Sequence, residues 1–329
     1  MKRPDSTLLR HVAAAVVAVV VVLFLSTVLD PYRNLQLTNV AYLVCAAAGL
    51  SVLTGLSGQI SLGQGALMAV GAYTTALLLE GGWPLVPVLL IAVVGTALVG
   101  VLVGAAAARL RGPYLAGATL AFAIGLPALA DYRGLSSTLG GQNGLVVLSS
   151  APPAWLSGVA FDRWQLAVST IAAAITLVLL GNLVHSRFGR SWRAVRDDEV
   201  AAQLAGLPVA RLQIVAFVVS AACAGLGGAL LAFVNGLAAP RAFPLTLSLQ
   251  LLAAVVLGGL GTIPGAVYGS FLLVFLPPWS ASLAGRLELS RDIYANLPLA
   301  VYGAVLVLVM LAFPAGVQGG INHLVRRIR

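Results

Sequence analysis

Residues 85–108 read LVPVLLIAVVGTALVGVLVGAAAA, an uncharged run bounded by Trp83-Pro84 before it and by Arg109 and Arg111 after it. At 1.5 Å per residue, a helix of this length covers the roughly 30 Å of hydrocarbon in a bilayer. Comparable runs lie at 12–29, 35–56, 62–79, 113–130, 164–184, 211–235 and 293–313, with a glycine-broken stretch at 247–276. In lipid only α-helices and closed barrels satisfy every backbone N–H and C=O. A barrel requires ten-residue segments of alternating polarity, and none is visible here. The sequence therefore predicts an all-α, polytopic transmembrane helical bundle in a single domain over 1–329.

Composition agrees. Hydrophobic residues make up 60% of the chain and charged residues 9%, with a mean hydropathy of +1.00. The net charge of +9 comes from basic residues scattered through short loops rather than gathered in a basic domain. It reads as topological charge, not as a nucleic-acid surface. Cys45 and Cys223 lie in apolar runs without metal-type spacing, so they read as small packing residues and imply neither disulfide nor zinc. Residues 1–11 are basic and precede the apolar run Val12 to Leu29, which has the layout of a signal peptide. No small-x-small cleavage site follows; the run ends in Asp30-Pro31-Tyr32, and an uncleaved first helix is expected.

Orientation follows from arginine placement. With a cytoplasmic N-terminus, the loop of Arg109 and Arg111 falls inside, as does the loop of Arg187, Arg190, Arg193, Arg196 and Arg211. Asp30, Glu80 and the 131–163 connection then fall outside. The stretch 247–276 has GGLGTIPG (258–265) at its centre. A single crossing there would leave Arg326-Arg327-Ile328-Arg329 outside, against the charge rule. Entry and return as two short helices keeps both termini cytoplasmic. The expectation is eight full spans plus this broken pair, or ten spans if the pair crosses completely. Non-helical backbone at membrane depth needs protein or a water-filled cavity around it, so the break belongs in the protein interior.

A second break, TGLSGQISLGQGALMAVGAY (54–73), sets Ser57, Gln59, Ser61 and Gln64 among glycines. Two readings stay open. One is a short polar loop followed by a small-residue helix packed closely on a neighbour. The other is a polar constriction in a translocation path, lined by backbone and amide groups. No tandem repeat is evident, although the glycine-broken stretches 55–73 and 258–269 could correspond in two halves, as in repeat-built transporters.

The ten acidic residues avoid the apolar spans, and His11, His185 and His323 sit at span ends or in tails. A proton relay through buried titratable groups is therefore not expected. Sodium coupling through carbonyls and hydroxyls stays open. The phosphate-cradling motif GxxxxGK[ST] needs a lysine, and the only lysine is Lys2. If ATP drives transport, another chain binds it. No HExxH, GxSxG or Cys/His cluster is present, so catalysis by this chain is not expected.

Residues 186–206, SRFGRSWRAVRDDEVAAQLAG, carry seven charges in their first fourteen positions. Arginines every three residues form a drifting stripe at headgroup level. From Asp197 the acids sit at a helix start, opposing the positive end of its dipole. Val200 and Leu204 share a face, and Gly206 with Pro208 gives a stop. The product is a short amphipathic helix off the membrane, which either merely orients the protein or docks a soluble partner.

EVAAQLAG (199–206) is similar to the EAA-type loop of ABC importer permeases, whose coupling helix sits in a groove of the ATPase. The chain as a whole resembles the LivM-type permeases of branched-chain amino acid importers. The resemblance rests on SGQISLGQGALMAVGAY (57–73), RGPYLAGATLAFA (111–123), GGQNGL (140–145), the 186–206 segment and LGGLGTIPGAVYG (257–269), in family order. It covers nearly all of the chain beyond the first span. Two departures bear on the solute: the family commonly has His where Gln64 stands, and often a Ser near Gln142.

The resemblance implies a multi-pass protein of the bacterial inner membrane, in contact with lipid and not with nucleic acid. It also implies a second related permease, two ATPase subunits holding ATP and Mg, and an extracytoplasmic solute-binding protein; this chain holds no cofactor and no metal. Its parts would be a first helix (12–29), spans two to six (35–184), a cytoplasmic coupling loop (186–208), C-terminal spans (211–313) and a basic tail (314–329). Candidates for the solute pathway are Gln59, Ser61, Gln64, Tyr73 and Asn143, uncharged groups able to pass a zwitterion. Thr119 joins them, although a lone Thr in a span often bonds its own helix backbone. Candidates for ATPase coupling are Arg193, Asp198, Glu199, Ala201, Ala202 and Gly206. The expected function is the permease subunit of an ATP-driven importer for branched-chain amino acids or related small solutes. The alternative is a self-contained sodium-coupled carrier or channel for a small neutral solute such as urea or an amide. A structural scaffold is disfavoured, because it has no use for glycine-broken interior segments.

Overall fold

Proline and glycine set most helix boundaries. The computed structural model describes residues 4–110, 113–130, 132–147, 151–153, 158–286, 297, 300, 301, 303–305, 307, 308, 311 and 316–320. Helix α1 runs over Pro4–Val28 and α2 over Pro31–Leu50. Pro31 opens α2 at the position where a helix has no use for the missing N–H. Ser51–Leu56 continues α2 as a wider π-helical turn. Next come α3 (Gln64–Glu80), α4 (Leu85–Ala107), entered through Pro84, and α5 (Pro113–Leu129). A four-residue α6 (Ser136–Leu139) and the two-residue β1 (Leu145–Val146) precede α7 (Phe161–His185). The charged segment forms α8 (Arg187–Asp197) and α9 (Glu199–Leu204). Then follow α10 (Val209–Asn235), β2 (Leu237–Ala238), α11 (Leu245–Gly258) and α12 (Ile263–Arg286).

Helix α10 is the centre of the bundle and packs on α4, α3 and α2. Helix α2 in turn meets α7 and α12, and α11 folds back on α12. Between helices in lipid no hydrophobic drive remains, so association depends on close backbone approach. Gly71 of α3 supplies it: a side chain there would overlap the backbone of Gly225 in α10. Helix α1 lies at the rim, chiefly against α7, with Val16, Val20 and Phe24 exposed. Between α1, α2, α7 and α12 is a cavity of about 670 Å³, walled largely by Ala and Val.

Among the described residues, seven helices are long and apolar enough to cross a membrane. Helices α3 and α5 have 17 residues each and fall slightly short of a full crossing at 1.5 Å per residue. The all-α polytopic expectation holds. The 247–276 stretch breaks at Gly259–Thr262, as its glycines led one to expect. The returning helix α12 has 24 residues, however, and the 14-residue α11 belongs to Pro240–Gly258, which is also long and apolar enough to cross, so both arms of the break reach membrane length rather than forming two short helices. Most of the 293–313 span, Arg111, Asp131 and the 321–329 tail lie outside the described residues.

Contacts between helix ends define the two ends of the bundle. The His11 ring lies 5.4 Å from that of His185, so the start of α1 and the arginine-rich α8 share one end of the bundle. At the opposite end Asn34 donates to Asp162 Oδ2 at 2.7 Å. There too β1 pairs antiparallel with β2, Leu145 opposite Ala238, which ties the GGQNGL loop to the exit of α10.

Candidate functional site

The arginine-rich end is built from α8 and α9. Ser186 Oγ accepts from Phe188 N at 3.1 Å and starts α8. Trp192 is fully buried and donates from Nε1 to Leu212 O at 2.8 Å, pinning α8 to the first turn of α10. The chain then bends at Asp198 (φ −156°, ψ 107°). Asp198 Oδ1 accepts from both Val200 N and Ala201 N at 2.9 Å and caps α9, supplying acceptors for donors that a helix start leaves free. Helix α9 ends at Ala205 and Gly206, and Gly206 has φ +81° with nothing around it. Ala202 faces inward, whereas Val200 and Leu204 are 63% and 85% exposed.

The arginine stripe does more than face headgroups. Arg193 donates from Nη2 to Val184 O and from Nε to Gly189 O, both at 3.1 Å, so it closes the end of α7. Arg196 Nη1 donates to Gly55 O at 2.7 Å. The Val184 and Gly55 carbonyls lie at helix C-terminal ends, where intrahelical partners run out and cations are attracted.

Across from α8 lies the 57–63 loop. Gln59 is buried; its Nε2 donates to Ser57 Oγ at 2.9 Å, and its Oε1 has no partner among the described residues. Thr119 of α5 accepts from Leu62 N at 3.1 Å while donating to Leu115 O or Ala116 O. Ser61 Oγ accepts from Gly63 N at 3.3 Å. Gln64 is enclosed at the start of α3: Nε2 donates to Ala46 O at 2.9 Å and Oε1 accepts from Ser220 Oγ at 3.2 Å. A cavity of about 480 Å³ separates this loop from α8 and α9, with Gln59, Ser57, Arg196 and Asp198 among its walls.

The structure thus gathers Gln59, Ser61, Gln64 and Thr119 at one level, but only Gln59 borders the cavity. Tyr73 lies nine residues beyond Gln64 on α3, roughly 14 Å along the helix axis. Asn143 is exposed in the turn before β1, at the opposite end. The coupling candidates Asp198, Glu199, Ala201, Ala202 and Gly206 form one unit, with Arg193 behind it on α8. Sequence reasoning did not single out Trp192 or Arg196. Trp192 could have been noticed as a large aromatic inside a charged run; Arg196 pairs with a residue 141 positions away, which no local pattern reveals.

Comparison with known proteins follows the same lines. Residues 35–312 match the family described as branched-chain amino acid transport system / permease component. The chain is similar to the high-affinity branched-chain amino acid transport system permease protein LivM of Escherichia coli (strain K12), with 33% identity over 299 residues covering 82% of this chain. That alignment spans 65% of the LivM protein's length. It is also similar to the permease protein LivH of the same strain, 28% identical over 83% of this chain and 90% of LivH. A third relative is the autoinducer 2 import system permease protein LsrC of Escherichia coli (strain K12 / DH10B), 29% identical over 79% of this chain and 76% of LsrC. No solved structure matches. With its sequence matched from the start of the second span to the last, the chain belongs to the family of permease components of branched-chain amino acid transport systems.

Proposed function

We propose that this chain is the membrane-spanning subunit of an ATP-driven importer for branched-chain amino acids or related small solutes, moved by separate ATPase chains that dock on α9. The observation that carries this reading is α9 itself. A six-residue helix is too short to persist alone in water, yet here it is capped by Asp198 and presents Val200 and Leu204 to solvent. Apolar side chains held out in this way, beyond the bundle and beside arginines, suit a partner's groove. With the arginine-rich end in the cytoplasm, that partner is cytosolic. The matches to LivM and LivH support pairing with a second, related permease.

ATP binding would close two ATPase subunits and carry α8 and α9 with them, opening the path alternately to either side as a rigid-body switch. The exposed Asn143 turn, held by the β1–β2 pair, would face a solute-binding protein. Solute would leave past Gln59, which lines the inner cavity and whose buried Oε1, without a partner among the described residues, would accept from an ammonium group once the loop moves. Ser61 and Thr119 hold the loop in place, and Gln64 and Tyr73 line or support the path deeper in the bundle. The test is solute-stimulated ATP hydrolysis and uptake by the purified complex in liposomes, offered leucine, valine, urea and short amides. Leucine or valine stimulation is expected. Uphill accumulation by this chain alone on a sodium gradient, without nucleotide, would replace the importer with a carrier.

A further inference from the structure

Arg196 stands where three parts of the molecule meet. Its Nε and Nη2 bind Asp197 Oδ1 at 3.1 and 2.9 Å, which fixes the guanidinium plane and turns Nη1 toward Gly55 O at 2.7 Å. Gly55 lies in the π-helical turn that ends α2. On its other side it is pressed on the break between α11 and α12: a side chain on Gly55 would overlap the backbone of Gly261. Ser51 Oγ, one turn earlier, donates to Thr262 O at 3.3 Å. Gly58, at φ +74°, wraps the stem of Arg196, and a side chain there would fall 2.9 Å from Arg196 Cγ. Two residues beyond Arg196, Asp198 caps α9.

From this geometry we infer that Arg196 is a positioning residue: it locks α8–α9 to the end of α2 and, through Gly55, to the α11–α12 break, so that movement of α9 is delivered to both broken segments. The inference deepens the importer reading and rests on it for the source of the movement. The chemistry asks for a guanidinium specifically. One nitrogen pair must engage a carboxylate while a third position reaches a carbonyl, and a lysine ammonium lacks that planar fork. The π-helical turn suits the role, because such turns mark places where a helix can change its register.

The test uses the assembled complex in liposomes with Arg196→Gln and Arg196→Lys, and Asp197→Asn as a milder variant that keeps the guanidinium. Hydrolysis is expected to persist within about twofold, while solute moved per ATP falls about tenfold for Arg196→Gln, inside the range typical of coupling between sites. Arg196→Lys should not restore the ratio, and Asp197→Asn should fall between. An unchanged ratio in Arg196→Gln, or equal loss of hydrolysis and uptake, overturns the inference. A second measurement does not depend on any ATPase. Spin labels on Val200→Cys and Leu260→Cys, both exposed positions, in the chain alone in lipid nanodiscs, should give a narrow distance distribution that broadens with Arg196→Gln. An unchanged distribution refutes the lock even if the importer reading stands. A complex without ATP hydrolysis refutes the importer reading even if the distribution broadens.

Discussion

At the scale of single residues, the polar groups inside this protein divide into those with complete hydrogen bonding and those without. Gln64 belongs to the first kind, held between the Ala46 carbonyl of α2 and the Ser220 hydroxyl of α10. Gln64→Ala removes two buried hydrogen bonds, each with a net contribution of about 0.5–1.5 kcal/mol. It should lower stability by about 1–3 kcal/mol, seen as a reduced thermal midpoint in nanodiscs. Gln59 belongs to the second kind. Gln59→Leu removes one buried hydrogen bond, from Nε2 to Ser57 Oγ, and should lower the thermal midpoint less than Gln64→Ala, since its Oε1 has no partner to lose among the described residues, while raising the KM for uptake. A fall in midpoint equal to that of Gln64→Ala would place Gln59 in the framework instead. The sequence presents these two glutamines alike, five positions apart among glycines. What separates them is the arrival of α10 at Gln64 and of a cavity at Gln59, and neither is encoded locally.

Among the elements, α9 depends most on its ends. Asp198→Ala removes an N-cap that contributes about 0.5–2 kcal/mol, a large share for six residues. Uptake should drop with the ATPase still hydrolysing, and Asp198→Asn should retain most of it, because Asn caps nearly as well. Gly206→Leu acts at the other end. The site is roomy, so the barrier is the backbone: φ +81° costs a side-chain-bearing residue about 1–2 kcal/mol. Transport and its coupling to ATP should be lost while membrane insertion persists, checked by expression level and by uptake in the same vesicles. Normal uptake by Gly206→Leu would argue against docking through α9. Helix boundaries in this region were legible in the sequence because caps and stops are local: Ser186, Asp198, Gly206 and Pro208 all act within a few residues. The diversion of Arg193 and Arg196 to carbonyls on α7 and α2 was not. Those carbonyls become targets only once the bundle brings the helix ends together.

For the whole molecule, a multi-pass protein of the bacterial inner membrane, the apolar runs alone placed nearly every membrane-length helix among the described residues. Hydropathy is a strong signal when lipid forbids unpaired backbone. Which helices touch could not be read, since Ala- and Gly-rich faces look alike on α3, α4 and α10. Sidedness can be tested directly. Cys45 and Cys223 are both buried, so a thiol reagent that cannot cross lipid should ignore them. It should label Leu204→Cys only in inside-out vesicles and Trp83→Cys only in right-side-out vesicles. Labelling of Leu204→Cys from the exterior would invert the topology and remove α9 from any cytosolic partner.

The cavity behind α1 has a practical corollary. That helix leans mainly on α7, and the roughly 670 Å³ beside it is walled largely by Ala and Val, with His11, His185 and Thr170 among the few polar groups, a lining that suits hydrocarbon tails. Solubilisation with increasing detergent should therefore peel α1 away like a strap before the remaining bundle melts, exposing the Asp30-Pro31 joint to protease. Preparations intended for activity measurements would then be better extracted together with their native lipids than stripped to a micelle.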